Sequence, residues 1–354
     1  MTEESKLPAN IFIGSNSFKE LSSFLKTSFS SIFVLVDENT LRDCYPLIVS
    51  SLPKHSVIQI QSGEGNKNLA TCELTWHKLT EANADRDCLL INLGGGVIGD
   101  LGGFAAGCYK RGIKFINIPT TLLAMTDASV GAKTGIDLMG FKNQIGLFNQ
   151  PEAVFIDPVF LKTLPERELI SGFAEVIKHY LIADKDAFNQ IRNSKFEIHN
   201  LNWVELIEKN IKIKTAIVNQ DPSENGARKA LNFGHTIGHA VESIFLNNKE
   251  RQLMHGEAVA VGMITESFIS MKKELLSAEE LEWINDVILH YFDLPNINSF
   301  DLPNLLSFIK QDKKNVKQQT QFSLLNGIGN YSIDNSVEEE QILESLNYYN
   351  SLLE

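Results

Sequence analysis

Two hydrophobic patterns divide the chain near residue 160. Before that point, short apolar runs rich in β-branched residues alternate with amphipathic stretches. Unbroken apolar runs of this length are typical of strands buried on both faces, and the stretches between them predict crossover helices. The pattern therefore predicts a parallel α/β domain. The predicted strands are 32–36, 57–60, 88–93 and 115–118, and the predicted helices lie near 40–51, 67–83 and 99–107.

After residue 160 the period is nearly all helical. Only the extended stretch 321–325 breaks the series. We therefore predict two domains, 1–160 (α/β) and 161–354 (all-helical), with an active site in the cleft between them. The predicted helices are 165–184, 186–193, 201–220, 227–246, 254–273, 277–291 and 301–311.

Composition narrows the range of partners. The chain has 354 residues and a net charge of −12, which argues against nucleic acid or an anionic membrane as a partner. The first residues lack the apolar stretch of a secretory signal, and no run approaches transmembrane length. The four cysteines show no metal or disulfide spacing. We expect a cytoplasmic protein.

A glycine motif follows the third predicted strand. Gly94-Gly95-Gly96-Val97-Ile98-Gly99 has the GxGxxG form, placed between a strand and a helix. Such glycines let backbone N–H groups and a helix N-terminus approach a pyrophosphate. The acidic ribose partner is not at the end of the next strand, and Asp37 at the end of the first predicted strand is a candidate. The alternative is a tight turn without a ligand.

A polar, glycine-rich stretch follows the fourth predicted strand. Lysines at this density among glycines suit a phosphate-handling loop, because glycine frees backbone donors and lysine supplies charge. A solvated loop is the alternative, although it does not explain the uncharged context. The polar residues are Thr120, Thr121, Asp127, Lys133, Thr134, Asp137, Lys142 and Asn143.

Polar residues also recur at helical spacing near residue 230. Arg228, Asn232, His235, His239 and Glu242 are separated by 4, 3, 4 and 3 residues, which predicts one stripe of a helix with apolar residues on its other faces. A buried row of such groups is typical of an active site.

Two further motifs add metal-binding side chains. They are Glu175 with Lys178 and His179, and His255 at a predicted helix start. Alone, the first is most often a surface pair and the second a capping residue. Together with the stripe they suit a catalytic Zn²⁺ with three protein ligands. Spacing alone favours His235 and His239 as a ligand pair, since HxxxH on a helix is a common metal motif.

These motifs, taken together, closely resemble those of the 3-dehydroquinate synthase family. The resemblance extends from about residue 32 to about residue 330 in the family's order and close to its spacing. It is more specific than any single motif. The segments that carry it are 94–100, 111–112, 119–127, 131–133, 142–143, 174–178, 231–239 and 255–260.

The resemblance implies a fold, a reaction and cofactors. The fold is a Rossmann-like N-terminal domain followed by a helical C-terminal domain, usually in a homodimer. The family uses one NAD⁺ and one Zn²⁺, for which Co²⁺ is an expected substitute. It converts 3-deoxy-D-arabino-heptulosonate 7-phosphate, a sugar phosphate, to 3-dehydroquinate and phosphate, a step of the shikimate pathway. A ring hydroxyl is oxidised, phosphate is eliminated, the ketone is reduced again and the ring closes by an intramolecular aldol step.

The resemblance also assigns roles by matching position. The metal ligands are Glu175, His235 and His255. His239 handles protons instead of binding metal, and the other catalytic residues are Lys178, Glu224, Lys133 and Asp127. The substrate residues are Arg111, Asp127, Lys133, Asn143, Lys178, Lys214, Arg228, Asn232, His239 and one of Lys313 and Lys314. The cofactor residues are Asp37, Asn39, Glu64, Lys67, Gly95, Gly96, Val97, Asp100, Thr120, Thr121, Lys142 and Thr163.

Three departures from the family pattern and three alternative functions remain. Ser171 replaces a usual Asn, Pro222-Ser223 interrupts a usually acidic stretch, and the residues before Arg111 differ. None removes a predicted ligand. The alternatives are another sugar-phosphate cyclase (2-deoxy-scyllo-inosose or valiolone-type synthase), a metal-dependent polyol dehydrogenase, and an inactive binding protein. The first would alter the substrate-reading positions, the second would show net hydride transfer, and the third would be expected to lose metal ligands.

Overall fold

The computed structural model describes residues 7–139, 141–194, 198, 201–245, 252–297, 302–311 and 320–354. The chain forms two compact units. The first comprises the chain up to Gly172 together with Asn202–Thr215, and the second comprises Phe173–Leu201 and Ala216–Glu354. The predicted division at residue 160 stays a prediction.

The first unit is built on a parallel sheet with helices between its strands. The strands of the unit are β1 (Ile11–Ile13), β2 (Ile32–Asp37), β3 (Ser56–Ile60), β4 (Leu89–Gly94), β5 (Lys114–Pro119), β6 (Lys133–Leu138), β7 (Phe141–Phe148) and β8 (Val154–Ile156). The helices are α1 (Ser17–Phe24), α2 (Glu38–Asp43), α3 (Tyr45–Ile48), α4 (Leu69–Glu81) and α5 (Gly96–Cys108). The four predicted strands and the three predicted crossover regions are confirmed.

The order of the strands explains why the apolar runs are unbroken. Six strands form one parallel sheet in the order β1-β8-β5-β4-β2-β3. The central strand β4 is buried along its whole length, as expected for a strand covered on both faces. Strands β1 and β8 were not predicted, because each has only three residues and therefore shows too short a pattern.

The chain reverses its direction of growth across the sheet between β2 and β4. From β2 it moves outward to β3, and from β4 it moves to β5 on the other side. A crevice forms at such a switch point outside the carboxyl ends of the two strands, and open α/β sheets bind their ligands there. Asp37 ends β2 and Gly94 ends β4, so both lie at this point.

The glycine-rich polar stretch is partly a hairpin, and its prediction as a loop was wrong. Strands β6 and β7 pair antiparallel, with Gly135 opposite Gly146. A Cβ at Gly135 would lie 2.8 Å from the carbonyl oxygen of Ile145, and one at Gly146 would lie 2.6 Å from that of Thr134. The glycines thus allow close pairing of the two strands, and their presence obscured the strand pattern.

The second unit is predominantly helical. The helices after β8 are α6 (Glu166–Ala183), α7 (Lys185–Ser194), α8 (Trp203–Gln220), α9 (His235–Phe245), α10 (His255–Lys272), α11 (Ala278–Tyr291), α12 (Leu302–Gln311) and α13 (Glu339–Ser351), of which α6 and α8 have residues in both units. One hairpin, β9 (Thr320–Leu325) with β10 (Tyr331–Val337), contains the predicted extended stretch. Among the described helices, none has the length and hydropathy needed to cross a membrane.

The prediction of one continuous helix over 227–246 was wrong. Ala227–Asn232 forms a 3₁₀ helix, and α9 begins only at His235. The break is at Gly234, whose φ of +77° is left-handed and favours glycine. Arg228 and Asn232 therefore precede α9 and do not share one helical stripe with His235, His239 and Glu242.

Candidate active site

Eleven of the twelve predicted cofactor residues lie at or after the carboxyl end of a strand in the parallel sheet. Because the strands are parallel, all these ends lie along one edge. Asp37 is the last residue of β2 and Asn39 follows it, Glu64 and Lys67 follow β3, Gly95, Gly96, Val97 and Asp100 follow β4, Thr120 and Thr121 follow β5, and Thr163 follows β8. The remaining residue, Lys142, lies on β7.

The glycine turn between β4 and α5 provides space at this edge. A Cβ at Gly99 would meet no atom of the described chain within 4 Å, so the first turn of α5 is open to a ligand. Gly102, by contrast, allows close packing, because a Cβ there would lie 2.0 Å from Asn92 Oδ1. Gly94–Gly96 and Gly99 line a pocket with Ser129 and Asn92. The turn has the geometry of a site for a pyrophosphate at a helix N-terminus.

Asp37, the predicted ribose partner, also caps the helix that follows it. Its Oδ1 accepts hydrogen bonds from the backbone N–H of Thr40 at 2.7 Å and from Thr40 Oγ1 at 3.0 Å. This capping holds Asp37 at the switch point.

A buried lysine after β3 joins helix α5 and strand β7 through its side chain. Lys67 Nζ donates to Asp100 Oδ2 and to Asn143 Oδ1, both at 2.6 Å. Lys142 Nζ lies 2.7 Å from Glu64 Oε1. Burial works to lower the pKa of Lys67, but the Asp100 and Glu64 carboxylates outweigh it and raise the pKa. The structure therefore places one predicted substrate residue, Asn143, in direct contact with the predicted cofactor residues.

A second lysine organises the loop after β5. Lys214 Nζ lies 2.8 Å from Asp127 Oδ2 and donates to the Asp127 carbonyl at 2.7 Å. Asp127 belongs to a single π-helical turn, Ala124–Ala128, a feature that is frequent at functional sites. Lys133, the first residue of β6, is exposed. This part of the unit holds cations and a carboxylate suited to an anionic, polyhydroxylated ligand.

One predicted residue of the first unit, Arg111, lies apart from these groups. Arg111 precedes β5 and so lies toward the amino ends of the strands, at the opposite edge from the glycine turn. Lys110, Arg111 and Gly112 there have φ values of 49°, 68° and 112°, three successive left-handed residues. Thr163 caps the C-terminus of a short 3₁₀ helix (Pro158–Lys162) after β8, and its Oγ1 donates to the Phe160 carbonyl at 3.3 Å.

In the second unit, three potential metal ligands from three helices converge. Glu175 on α6, His235 at the start of α9 and His255 at the start of α10 place ligand atoms within 4.8 Å of one another. Glu175 Oε1 lies 3.3 Å from His235 Nε2 and 3.6 Å from His255 Nε2. This buried oxygen has no well-formed hydrogen bond within the described residues. One carboxylate and two imidazoles with an unsatisfied oxygen between them fit a divalent metal such as Zn²⁺.

The far nitrogens of both histidines are also engaged. His235 Nδ1 lies 3.0 Å from the Phe233 carbonyl oxygen, and His255 Nδ1 lies 3.3 Å from Glu242 Oε2. Metal-binding histidines almost always donate their second N–H to a carbonyl or a carboxylate, which fixes the ring orientation. Glu242, which sequence reasoning placed only as a member of a stripe, is such a partner.

Nearby charges and burial shift the pKa values of these three potential ligands. Burial works to raise the pKa of Glu175, but Lys178 and His235 outweigh it and hold the pKa well below 4.5. Burial and Lys178 lower the pKa of His235, which favours the neutral, ligating form. Burial also works to lower the pKa of His255, whereas Glu242 and Glu175 raise it to about 10. A cation is thus favoured at this position.

Lys178 is not the surface residue that its spacing from Glu175 most often indicates. Its ammonium pairs with Glu175 Oε2, and only 2% of its side chain is exposed. The i,i+3 spacing alone did not distinguish a buried pair from an exposed one.

The residues before α9 form a tightly bonded turn. The Asp221 carboxylate accepts from the backbone N–H groups of Asn225, Gly226 and Arg228. Arg228 is buried and donates from Nη1 to the Pro222 carbonyl at 2.9 Å. Asn232 donates to Glu224 Oε1 at 2.7 Å. The sequence analysis did not predict this role of Asp221. In the sequence, Asp221 lies two residues before Ser223 and gives only a weak turn signal.

Two further residues are predicted to bind substrate. Lys313 and Lys314 lie outside the described residues. The structure shows where the residues described above lie. Their functional roles stay predictions.

The sequence matches two family models in succession. The first, 3-dehydroquinate synthase N-terminal, covers residues 57–171, and the second, 3-dehydroquinate synthase C-terminal, covers residues 172–315. A 3-dehydroquinate synthase of Parabacteroides distasonis is 41% identical over 335 residues, which is 93% of this chain and 94% of that protein. One of Campylobacter concisus is 42% identical over 82% of this chain and 83% of that protein.

Solved structures share the fold. A 2-epi-5-epi-valiolone synthase of Streptomyces hygroscopicus subsp. jinggangensis 5008, with NAD⁺ and Zn²⁺ bound, aligns with a TM-score of 0.86 at 24% identity over 99% of both chains. A 2-deoxy-scyllo-inosose synthase complexed with carbaglucose-6-phosphate, NAD⁺ and Co²⁺ aligns with a TM-score of 0.84 at 24% identity over 96% of both chains. A probable glycerol dehydrogenase of Sinorhizobium meliloti aligns less closely, with a TM-score of 0.68 at 13% identity over 99% of both chains.

A parallel sheet followed by a helical unit, with these matches, defines an enzyme of the sugar-phosphate cyclase class. Within that class, the chain belongs to the 3-dehydroquinate synthase family.

Proposed function

We propose that the protein catalyses the conversion of 3-deoxy-D-arabino-heptulosonate 7-phosphate to 3-dehydroquinate and phosphate, as a lyase that depends on NAD⁺ and a divalent metal. The observation that carries this proposal is the convergence of Glu175, His235 and His255 in a chain whose sheet also presents a glycine turn at its switch point. The proposed assembly is the homodimer that the family resemblance implies, which sedimentation of the purified chain tests.

The residues present fit both cofactors. Glu175, His235 and His255 would hold Zn²⁺ or Co²⁺, and the edge from Asp37 to Thr121 would hold NAD⁺. When bound, the dinucleotide supplies a reversible hydride acceptor and the metal polarises a substrate oxygen. Relatives of the same fold have been solved with these groups, which supports the choice.

The acidic chain needs local cations to hold an anionic substrate. Lys133 and Lys214 supply positive charge in the first unit, and Lys178 and Arg228 supply it in the second. The planar guanidinium of Arg228 suits a carboxylate, and Pro222 holds it in place through its carbonyl oxygen. Asn232, held by Glu224, supplies an amide for substrate hydroxyl groups.

His239 supplies a proton carrier beside the proposed metal ligands. It lies on α9 one turn after His235, and the two ring centroids are 5.2 Å apart. Imidazole titrates near neutral pH and therefore suits transfer of protons to and from a hydroxyl group. His239 is thus assigned to move a substrate proton.

The proposal is tested by incubating the chain with the heptulosonate phosphate, NAD⁺ and Zn²⁺. Release of phosphate with formation of 3-dehydroquinate, and without accumulation of NADH, is the expected result. Stoichiometric NADH would instead favour a polyol dehydrogenase. No turnover of this substrate together with turnover of a related sugar phosphate would favour another cyclase.

A further inference from the structure

A carboxylate outside the proposed site contacts the backbone on both sides of a proposed metal ligand. Glu266 lies on α10, its residue is fully buried, and the reaction proposed above does not use it. Its Oε2 accepts a hydrogen bond from the Gly234 N–H at 2.6 Å, and its Oε1 accepts one from the Ile237 N–H at 3.0 Å. These two residues bracket His235, the first residue of α9.

The contact meets a general need of helix starts. The first N–H groups of a helix have no partner within the helix, and the helix dipole favours a negative charge there. Glu266 satisfies both conditions for α9 from a neighbouring helix. Because a single rigid carboxylate holds two N–H groups, it fixes the orientation of the backbone from which His235 projects.

The two helices are also in backbone contact at this point. A Cβ at Gly262, one turn before Glu266, would lie 1.8 Å from the Gly234 carbonyl oxygen and 2.9 Å from the Gly238 backbone nitrogen. The start of α9 therefore has no room to move toward α10. Glu266 then restrains the movement that the glycine contact leaves open, which is rotation or withdrawal of the turn that carries His235.

We propose that Glu266 is a positioning residue that sets the place of His235 for metal binding. The proposal rests on the proposed metal site at Glu175, His235 and His255. His255 begins α10, the helix that carries Glu266, so one helix supplies a ligand and also orients a second ligand on α9. Residues that orient metal ligands typically change metal affinity 10–100-fold when they are replaced.

The test compares two carboxylates that play the same role for the backbone. In Glu266→Gln, the amide offers one acceptor oxygen and places its own N–H₂ group against a backbone donor. Glu280→Gln is the matched control, because Glu280 also accepts from two backbone N–H groups, those of Ser277 and Ile328, but holds no ligand. Each metal-free full-length chain is titrated with Zn²⁺ against a competing fluorescent chelator, and its thermal midpoint is measured.

We expect both variants to unfold at a lower temperature and only Glu266→Gln to bind Zn²⁺ more weakly, by about 10–100-fold. Zinc affinity equal to that of the parent chain in Glu266→Gln would overturn the proposal, leaving a purely structural role. His235→Ala in the same titration tests the metal site itself. If that variant retained full affinity, the proposed site would fail independently of Glu266.

A second variant covers the case in which Glu266→Gln does not fold. Glu266→Asp keeps the charge but is one methylene shorter, so it reaches one of the two N–H groups and not both. Weaker zinc binding in a folded Glu266→Asp variant supports the proposal, and unchanged binding overturns it.

Discussion

His239 is close enough to the proposed metal ligands for its role to need a physical argument. With Glu242 and His255 it forms a second set of potential ligand atoms within 4.8 Å. An imidazole ring binds one metal through one nitrogen, and His255 directs Nε2 toward Glu175 and Nδ1 toward Glu242. Binding at the second set would therefore take Nδ1 away from its carboxylate. Binding at the first set leaves both nitrogens of His255 occupied, with Nε2 toward the metal and Nδ1 on Glu242. This arrangement favours a proton-transfer role for His239.

Replacing His239 by Ala should separate these roles. We expect the variant to keep its zinc and to turn over about 10²–10⁴-fold more slowly, since that is the usual contribution of one acid–base group. Zinc content and turnover are measured on the same sample. His235→Ala serves as the comparison, in which metal should be lost, and a metal-free His239→Ala sample would show that His239 is a ligand.

Two glycines should respond to alanine in opposite ways. Gly99→Ala has open space and lies within α5, so the free energy of unfolding should rise by about 0.5–1 kcal/mol while NAD⁺ binding weakens. Gly262→Ala meets the Gly234 carbonyl oxygen and should lower the free energy of unfolding by about 1–3 kcal/mol or more. Thermal unfolding and NAD⁺ titration check both. A stable Gly262→Ala variant would mean that α9 and α10 can separate at little cost.

At the scale of elements, the start of α11 shows how one side chain joins several segments. Glu280 forms a capping box with Ser277 and pairs with Lys185 on α7 at 3.0 Å. It also accepts from the Ile328 N–H in the turn of the β9–β10 hairpin. Burial works to raise the pKa of Glu280, but the hydrogen bonds from Lys185, Ile328 and Ser277 outweigh it and hold the pKa below 4.5.

The stabilisation by Glu280 should therefore depend on pH. A carboxyl whose pKa is lowered by folding contributes fully above its unfolded pKa and loses that contribution as the pH falls through the folded pKa. At pH 7 we expect Glu280→Gln to lower the free energy of unfolding by about 1 kcal/mol, the usual value of a cap. Denaturant unfolding from pH 7 downward measures the difference between the two chains. A difference that grew toward acid pH would contradict the assignment.

Elements with a regular apolar period were predictable from the sequence, and those defined by tertiary contacts were not. Strands β2–β5 and helices α6–α8 showed their period over enough residues. The break at Gly234 was missed because 3₁₀ and α spacing look alike over one turn, while the backbone contact with Gly262 that accompanies the break is invisible in sequence. Glu266 was missed for a similar reason, because its two backbone partners lie about thirty residues away.

At the scale of the whole molecule, each unit holds its own group of proposed ligand-binding residues. The first unit contains Lys67, Asp100 and the glycine turn, and the second contains Glu175, His235 and His255. The family resemblance allowed the residues of both groups to be assigned from the sequence. The position of Arg111 toward the amino ends of the strands also follows from sequence order, because Arg111 directly precedes a predicted parallel strand. The three successive left-handed residues around it could not be anticipated, because Lys and Arg rarely adopt that conformation.

Separate groups should give separable effects of ligands on stability. A ligand at 100 times its Kd stabilises the folded chain by about 2.7 kcal/mol. We expect both Zn²⁺ and NAD⁺ to raise the Tm of the parent chain. In His255→Ala, only the shift from Zn²⁺ should disappear, and in Lys67→Ala, the shift from NAD⁺ should shrink. Differential scanning fluorimetry checks this, and loss of both shifts in His255→Ala would show that the variant is misfolded or that the groups are interdependent.

The turn between α5 and β5 has a consequence for protein engineering. Lys110 is exposed and left-handed, a conformation that asparagine tolerates better than lysine does. Exchanging it for Asn should raise the Tm, corresponding to at most about 1 kcal/mol, without altering a residue assigned to the site. A melting curve that did not move would mean that the turn relaxes at no cost. If the midpoint rises, this turn offers a starting position for making a heat-tolerant catalyst while its chemistry is left unchanged.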